Sequence, residues 1–332
     1  MTSRIIPPPC CGFEYAHLSV IPRVSNVRPE DVEIKTHITP TFATELPFVP
    51  SPMDSVIGKE LALAMLQAKG LPILHGFYGE TPQLYALVDE LKERFPHRDD
   101  RLGLLLSPDL TQLSEIAPLL QDRISVIALD TLHQSPHLHL QAVRELKHRF
   151  PHLEIISGNV VFSEDCRGLI QAGVDAIRVG MTSASINRGR ELLGCGRRQA
   201  SAVWDCAKVT TELGVPLIAD GGVKTISDAV IAFALGADAV MMGQRFASLP
   251  ESAAPMQTNA VGDRVKIYRG MSRKGKIAAD LIPEGTTKEL PVASDFDTTV
   301  LEWVAILKLA ISRAGFSALT EFKTSALLEF IL

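Results

Sequence analysis

Eight short, almost continuously apolar runs, separated by longer segments of helical period, constrain this chain more than any other feature. They are FVPSPM (48–53), LPILHGF (71–77), RLGLLLS (101–107), SVIALDT (125–131), LEIISGNV (153–160), AIRVGM (176–181), VPLIADGG (215–222) and AVMMGQ (239–244). A strand with one face in water alternates polar and apolar residues. These runs do not alternate, so they read as parallel strands covered on both faces. Between them, apolar residues recur at i, i+3 and i+4. The clearest cases are KELALAMLQAKG, which Gly70 is expected to stop, and SDAVIAFALGAD, where Gly236 follows the last turn. Regular strand–helix alternation without a break predicts an α/β chain folded as a (β/α)8 TIM barrel rather than an open sheet.

A length of 332 residues suits one such barrel with elaborated ends and a large core, so the chain reads as a single domain over 1–332. Residues 1–47 are rich in proline and read as an N-terminal wrap. Residues 245–299 form a long insertion after strand eight, on the C-terminal face where barrels build their active sites. Within it VGDRVKIYRGM alternates like a strand or hairpin, and a last helix is expected at about 300–314. An apolar content of 46% excludes disorder, and a net charge of −5 argues against a nucleic-acid binder. No apolar run approaches the roughly 18 residues of a membrane span. The opening MTSRIIPPPCCG has no apolar core of a secretory signal, and five cysteines make an odd, sparse set for a disulfide scaffold. Both point to a reducing compartment, the cytoplasm. Cys10 and Cys11 are adjacent, which is not a zinc spacing. His75, His133, His137 and His139 lack the spacing of a metal-binding helix. No metal site is expected, and most of these histidines read as solvated.

Strand seven ends in Asp220-Gly221-Gly222 and strand eight in Gly243-Gln244. Glycines leave the backbone bare for close approach, and barrels often hold a phosphate between these two loops. The competing reading is a pair of tight turns. Asp220 reads as an acceptor for a ribose diol, in preference to a buried acid paired with a base.

A larger set of motifs is more specific. LSVIPRVS, VPSPMDSV, ALDT, SGNVV, RVGMTSASI, IADGGVK, GADAVMMG, KIYRGMS and IPEG follow one another along most of the chain. In this order and spacing they resemble the IMP dehydrogenase/GMP reductase family. The resemblance implies a site for a purine nucleoside 5′-monophosphate, NAD(P) as redox partner and a homo-oligomer, a tetramer in that family. It leaves no room for the CBS-type regulatory domain that many of its dehydrogenases insert. It places Ser185, Gly222, Gly243 and Tyr268 at the phosphate and Asp220 at the ribose. Met53, Gly270, Met271, Ser272 and Glu284 fall around the base, with Glu284 at the purine N1 edge. Asp130, Asn159 and Arg178 fall on the nicotinamide side. Without the resemblance, Met53 and Met271 read as core packing and Tyr268 as a sheet-surface aromatic.

The chain departs from the family where the chemistry sits. The family's strand-six loop reads G-x-G-S-I-C-x-T, and its cysteine attacks purine C2. Here the loop reads MTSASINRG, which puts Asn187 at the cysteine and Gly189 at the threonine. A carboxamide is no nucleophile, unlike a thiol poised near neutral pH. Thr182 and Ala184 replace loop glycines, which counts against a monovalent-cation site. Only a dozen residues separate Gly270 from Pro283. They carry Arg273, Lys274 and Lys276 but not the Arg-Tyr dyad with which the dehydrogenase activates water, so this stretch resembles the reductase more. Gln244 stands where the family has a small residue, and reads as entering the phosphate site or donating its amide to it.

Cys195 reads as a small, half-buried residue between turn glycines rather than a substitute nucleophile, and Cys166 and Cys206 read as packing. Arg188, Arg190, Arg197 and Arg198 read as a solvated face; the alternative sets Arg188 or Arg190 against a further anion. Three functions stay open. The first is a diverged nucleotide oxidoreductase working without a covalent adduct. The second is a non-catalytic nucleotide sensor or partner protein. The third is an FMN-dependent oxidoreductase barrel, suggested by the likeness of GADAVMMGQRF to the strand-eight region of nitronate-monooxygenase-like barrels.

Overall fold

The computed structural model describes residues 12–76, 81–95, 102–130, 136–181, 183–271 and 282–331. Its central sheet has eight strands: β1 (Phe48–Pro50), β2 (Ile73–Leu74), β3 (Gly103–Leu106), β4 (Val126–Leu129), β5 (Glu154–Val160), β6 (Ala176–Val179), β7 (Leu217–Asp220) and β8 (Ala239–Met242). The spatial order is β1-β8-β7-β6-β5-β4-β3-β2, with every pairing parallel, so consecutive strands β1 and β2 form the two ends of a nearly closed barrel. The main helices are α1 (Lys59–Gln67), α2 (Thr81–Arg94), α3 (Leu113–Asp122), α4 (Pro136–Arg149), α5 (Ser163–Ala172), α6 (Gln199–Leu213), α7 (Ile226–Ala234) and α8 (Phe296–Arg313). This is the (β/α)8 TIM barrel that the alternation predicts.

The unbroken apolar runs have a direct cause. Val126 and Ala128 of β4 share an inner cluster with Val49, Ile156, Ala176, Ile218, Ala239 and Met241. The intervening residues Ile127, Leu129, Ile155, Ile177, Leu217 and Val240 belong instead to the outer cluster under the helices. Successive side chains alternate faces, and here both faces are dry. Trp303 of α8 is fully buried and meets Phe48 of β1 edge to face at 5.7 Å and Phe246, in the turn after β8, at 5.2 Å.

The wrap closes one end of the barrel. Thr36–His37 pairs with Ala43–Thr44, and Ile38 and Phe42 from this hairpin join the inner cluster. Glu154, at the start of β5, accepts hydrogen bonds from Thr39 Oγ1 (2.5 Å), Thr41 N (2.9 Å) and Thr41 Oγ1 (2.7 Å). Further along the wrap, Leu18–Val20 pairs antiparallel with Leu328–Phe330. That strand and the helix Leu319–Ser325 are C-terminal elements that the sequence pattern did not mark.

The insertion is a three-stranded antiparallel sheet of Met256–Thr258, Arg264–Arg269 and Thr287–Pro291. Its central strand is anchored by buried Lys266, whose ammonium donates to the carbonyls of Pro250 (2.9 Å), Ser252 (3.1 Å) and Ala254 (3.0 Å). The same strand carries Tyr268 to the barrel mouth. Helix α8 begins earlier than expected because Asp295 caps it, accepting from Thr298 N at 2.9 Å. Gly236 takes the expected left-handed conformation after α7, with φ +113°. Gly70 does not play that part: Lys69 takes the left-handed turn at φ +59°, and Gly70 instead packs tightly against Met65 and Leu46. Among the described residues no helix is long and apolar enough to cross a membrane.

Candidate functional site

The C-terminal ends of four adjacent strands bring together a charged network. Asp130 follows β4, Asn159 lies in β5, Arg178 in β6 and Asp220 ends β7. Arg178 donates from Nη2 to Asp130 Oδ2 at 2.8 Å, and its Nε lies 3.0 Å from Asp220 Oδ2. Asn159 Nδ2 donates to the same Asp220 oxygen at 2.8 Å and to Gly180 O at 2.7 Å. The Arg178 side chain is 6% exposed and that of Asp220 16%. Burial pulls the guanidinium pKa down, but Asp130 and then Asp220 outweigh it, so the pKa ends above its ordinary value. Burial pushes the Asp220 carboxyl above the usual carboxylate range, against the pull of Arg178 and Asn159. The expectation that Asp220 would not be a buried acid paired with a base is therefore corrected. It is a largely buried acid paired with Arg178, and the contacts of Arg178 and Asn159 both fall on Oδ2. Arg178 Nη1 and Asn159 Oδ1 are buried with no hydrogen-bond partner among the described residues.

Beside Asp220, Gly221 and Gly222 take φ of +84° and +73°, which side chains rarely tolerate. A Cβ on Gly221 would stand 2.6 Å from Ser183 Oγ. At the end of β8, a Cβ on Gly243 would overlap the Tyr268 hydroxyl. Tyr268 is buried rather than lying on a sheet surface. Burial and the charge of Asp220 push its phenol pKa up, so it stays a neutral donor. Its hydroxyl also lies 3.9 Å from Met53 Sδ. Gln244 Oε1 accepts from Ser185 Oγ at 2.7 Å, which joins the start of the segment after β8 to the loop after β6.

The loop after β6 is stitched to the insertion. Ile186 O accepts from Thr286 N (2.8 Å), Glu284 O from Arg188 N (2.9 Å), and Thr286 O from Gly270 N (2.9 Å), while Asn187 bridges to Gly285. Glu284 is 4% exposed. Met53 and Met271 are half-buried, Met53 packs against the core, and Met271 Sδ accepts from Asp54 N at 3.5 Å. Asn187 Oδ1 accepts the Gly189 N–H at 2.6 Å and so turns the chain into the short helix Gly189–Leu193. Ser272, together with Thr182, Arg273, Lys274, Lys276 and His133, lies outside the described residues.

Other expectations change. Cys195 is exposed, not half-buried; Cys166 and Cys206 are buried as expected. His75 and His139 are buried, not solvated, whereas His137 is exposed. His139 Nδ1 lies 3.0 Å from Ser157 Oγ, and burial depresses its pKa, with Asp130 opposing and Arg178 adding to the effect. Arg188, Arg190 and Arg198 are exposed, as expected of a solvated face, Arg197 is half-buried, and all four meet protein acids. Arg188 pairs with Glu191 (3.2 Å), Arg190 and Arg198 with Glu14 (3.6 and 3.1 Å), and Arg197 with Asp205 (2.9 Å). Gln199 was not singled out from sequence. It is fully buried, and its Nε2 donates to Val179 O (2.8 Å) and Asp220 O (3.0 Å), pinning the ends of β6 and β7 together. Only its place at the first turn of a helix hinted at a role. Among the described residues no group of three or more His, Cys, Asp or Glu is placed to hold a metal.

Left-handed glycines beside an anchored carboxylate at the mouth of a (β/α)8 barrel are the arrangement of a nucleotide-binding barrel. A family model described as "IMP dehydrogenase / GMP reductase domain" matches residues 12–331, and the chain belongs to that family. It is 25% identical to an inosine-5′-monophosphate dehydrogenase of Borreliella burgdorferi, a match covering 95% of this chain and 93% of that protein. It is 34% identical to the enzyme of the same name from Chlorobaculum tepidum over 67% of this chain and 48% of that protein. A third, from Cryptosporidium parvum, is 25% identical over 96% of this chain and 92% of its own length.

Two outcomes follow from this geometry. Gly243→Ala forces its methyl group into the Tyr268 hydroxyl and destabilises the fold by about 1–3 kcal/mol. Adding Tyr268→Phe recovers part of that loss in urea denaturation, and strictly additive effects would contradict the contact. For His139, a folded pKa below the ordinary value of about 6.5 means that the unfolded chain binds more protons. Its contribution to stability is complete above that value and is lost as pH falls through it. The wild type therefore loses more stability than His139→Gln between about pH 7.5 and 5.5. Parallel stability curves would refute this.

Proposed function

We propose that the barrel mouth binds a purine nucleoside 5′-monophosphate and works on it as a redox protein without a covalent protein adduct. The observation that carries this reading is Asp220, held on its Oδ2 by Arg178 and Asn159 and followed directly by the left-handed Gly221 and Gly222. A ribose diol is matched to the Asp220 carboxylate, and a phosphate to the Tyr268 hydroxyl, the backbone beside it at Gly243 and that at Gly222. Purine C2 then turns toward residue 187 and the N1 edge toward Glu284. Asn187 commits its carbonyl to the turn at Gly189 and offers no nucleophile.

The buried, unpaired donor of Arg178 and acceptor of Asn159 belong to side chains that converge on one Asp220 oxygen. A primary carboxamide such as that of nicotinamide offers the complementary acceptor and donor, so these residues fit NAD(P), which supplies a hydride donor or acceptor when bound. That complementarity favours a redox protein over a nucleotide sensor. The short stretch between Gly270 and Pro283 supports a reading nearer the reductase side of the family. Gln244 limits phosphate affinity, because Ser185 reaches a phosphate only by releasing the glutamine.

Thermal unfolding tests this reading. A purine monophosphate at ~100 times its dissociation constant stabilises the wild type by about 2.7 kcal/mol. Asp220→Ala shows no such shift at the same concentration. The intact mass stays unchanged after incubation with the nucleotide and NAD(P). No shift with any purine monophosphate, or a covalent mass increase, would overturn the proposal.

A further inference from the structure

Asn187 presents its amide in one orientation. The Gly189 N–H is a donor, so the atom receiving it at 2.6 Å is the carbonyl end, and Nδ2 faces away from that turn. Asn187 N donates to Ala184 O at 3.0 Å and the residue pairs with Gly285, so the backbone is held on two sides. The residue is half-buried, and Nδ2 has no protein acceptor among the described residues. A pair of N–H donors, on a half-buried side chain whose carbonyl end is tied down, therefore stands in the loop after β6. Across the same stitched junction lies the buried carboxyl-bearing residue Glu284.

We infer that Asn187 selects a purine carrying a carbonyl oxygen at C2, a 2-oxopurine nucleoside 5′-monophosphate. This rests on the nucleotide reading above, which turns C2 toward residue 187. A 2-oxo group accepts from Nδ2 while the neighbouring ring N1–H donates to the Glu284 carboxylate. A 2-amino group sets N–H against N–H and leaves both donors unpaired. An unsubstituted C2–H gives the amide no partner. A site built around a hydrogen bond rejects ligands that cannot make it more strongly than an apolar pocket does.

Titration calorimetry on the full chain with xanthosine, inosine and guanosine 5′-monophosphates tests the inference. The wild type binds the xanthosine nucleotide roughly tenfold or more tighter than the guanosine nucleotide. Asn187→Asp keeps an acceptor for Gly189 N–H but replaces the donors, and neutral Asn187→Ala controls for the added charge. Both variants bring the xanthosine-to-guanosine ratio to within about threefold of unity, or invert it. Equal or tighter guanosine nucleotide binding by the wild type, or a ratio that survives in both variants, overturns the inference and leaves the nucleotide reading standing. Binding of none of the three overturns both.

Discussion

Arg178 stands buried between Asp130 and Asp220, and the mouth of the barrel is organised around it. A guanidinium taken out of water is stable only with its charge matched and its donors used. Here the matching acids come from β4 and β7, the strands that lie two places to one side and one to the other in the sheet. The cation thus ties three strand ends together, and Asn159 adds a fourth. Gln199 reinforces the arrangement from behind by bonding the carbonyls at the ends of β6 and β7. The outcome is a carboxylate fixed beside two left-handed glycines before any ligand arrives, which is how a site lowers the cost of ordering itself on binding.

The second constraint is the seam between the loop after β6 and residues 284–286. Backbone bonds at Ile186 and Arg188, with the bridge between Asn187 and Gly285, hold the two segments in register. Within that seam Asn187 serves the chain first, as the acceptor that starts the helix Gly189–Leu193. Asparagine suits such a turn, because its short carbonyl reaches the backbone N–H two residues on. The same commitment fixes the amide's carbonyl end where the family pattern has a thiol.

The barrel was legible because burial on both faces writes an unbroken apolar run into each strand, as Val126 to Leu129 illustrates. The glycine pair was legible because left-handed backbone demands glycine. Gly70 misled for a related reason: the local stop signal was right, but Lys69 took the strained turn and Gly70 answered to the packing of Met65 and Leu46. Contacts made across the fold left no trace in local pattern. The pairing of Asp220 with Arg178, the clamp of Gln199 and the burial of His139 against Ser157 all join residues from different strands and helices. The strand Leu328–Phe330 was missed because its partner lies at the other end of the chain.

The central claim is that Asp220 is held ready for a ribose diol. It is tested most directly by comparing the affinities of inosine 5′-monophosphate and its 2′-deoxy analogue for the wild-type chain. A charged hydrogen bond in a pre-formed site predicts that the deoxy nucleotide binds roughly 10- to 100-fold more weakly. Equal affinity for the two would contradict the account.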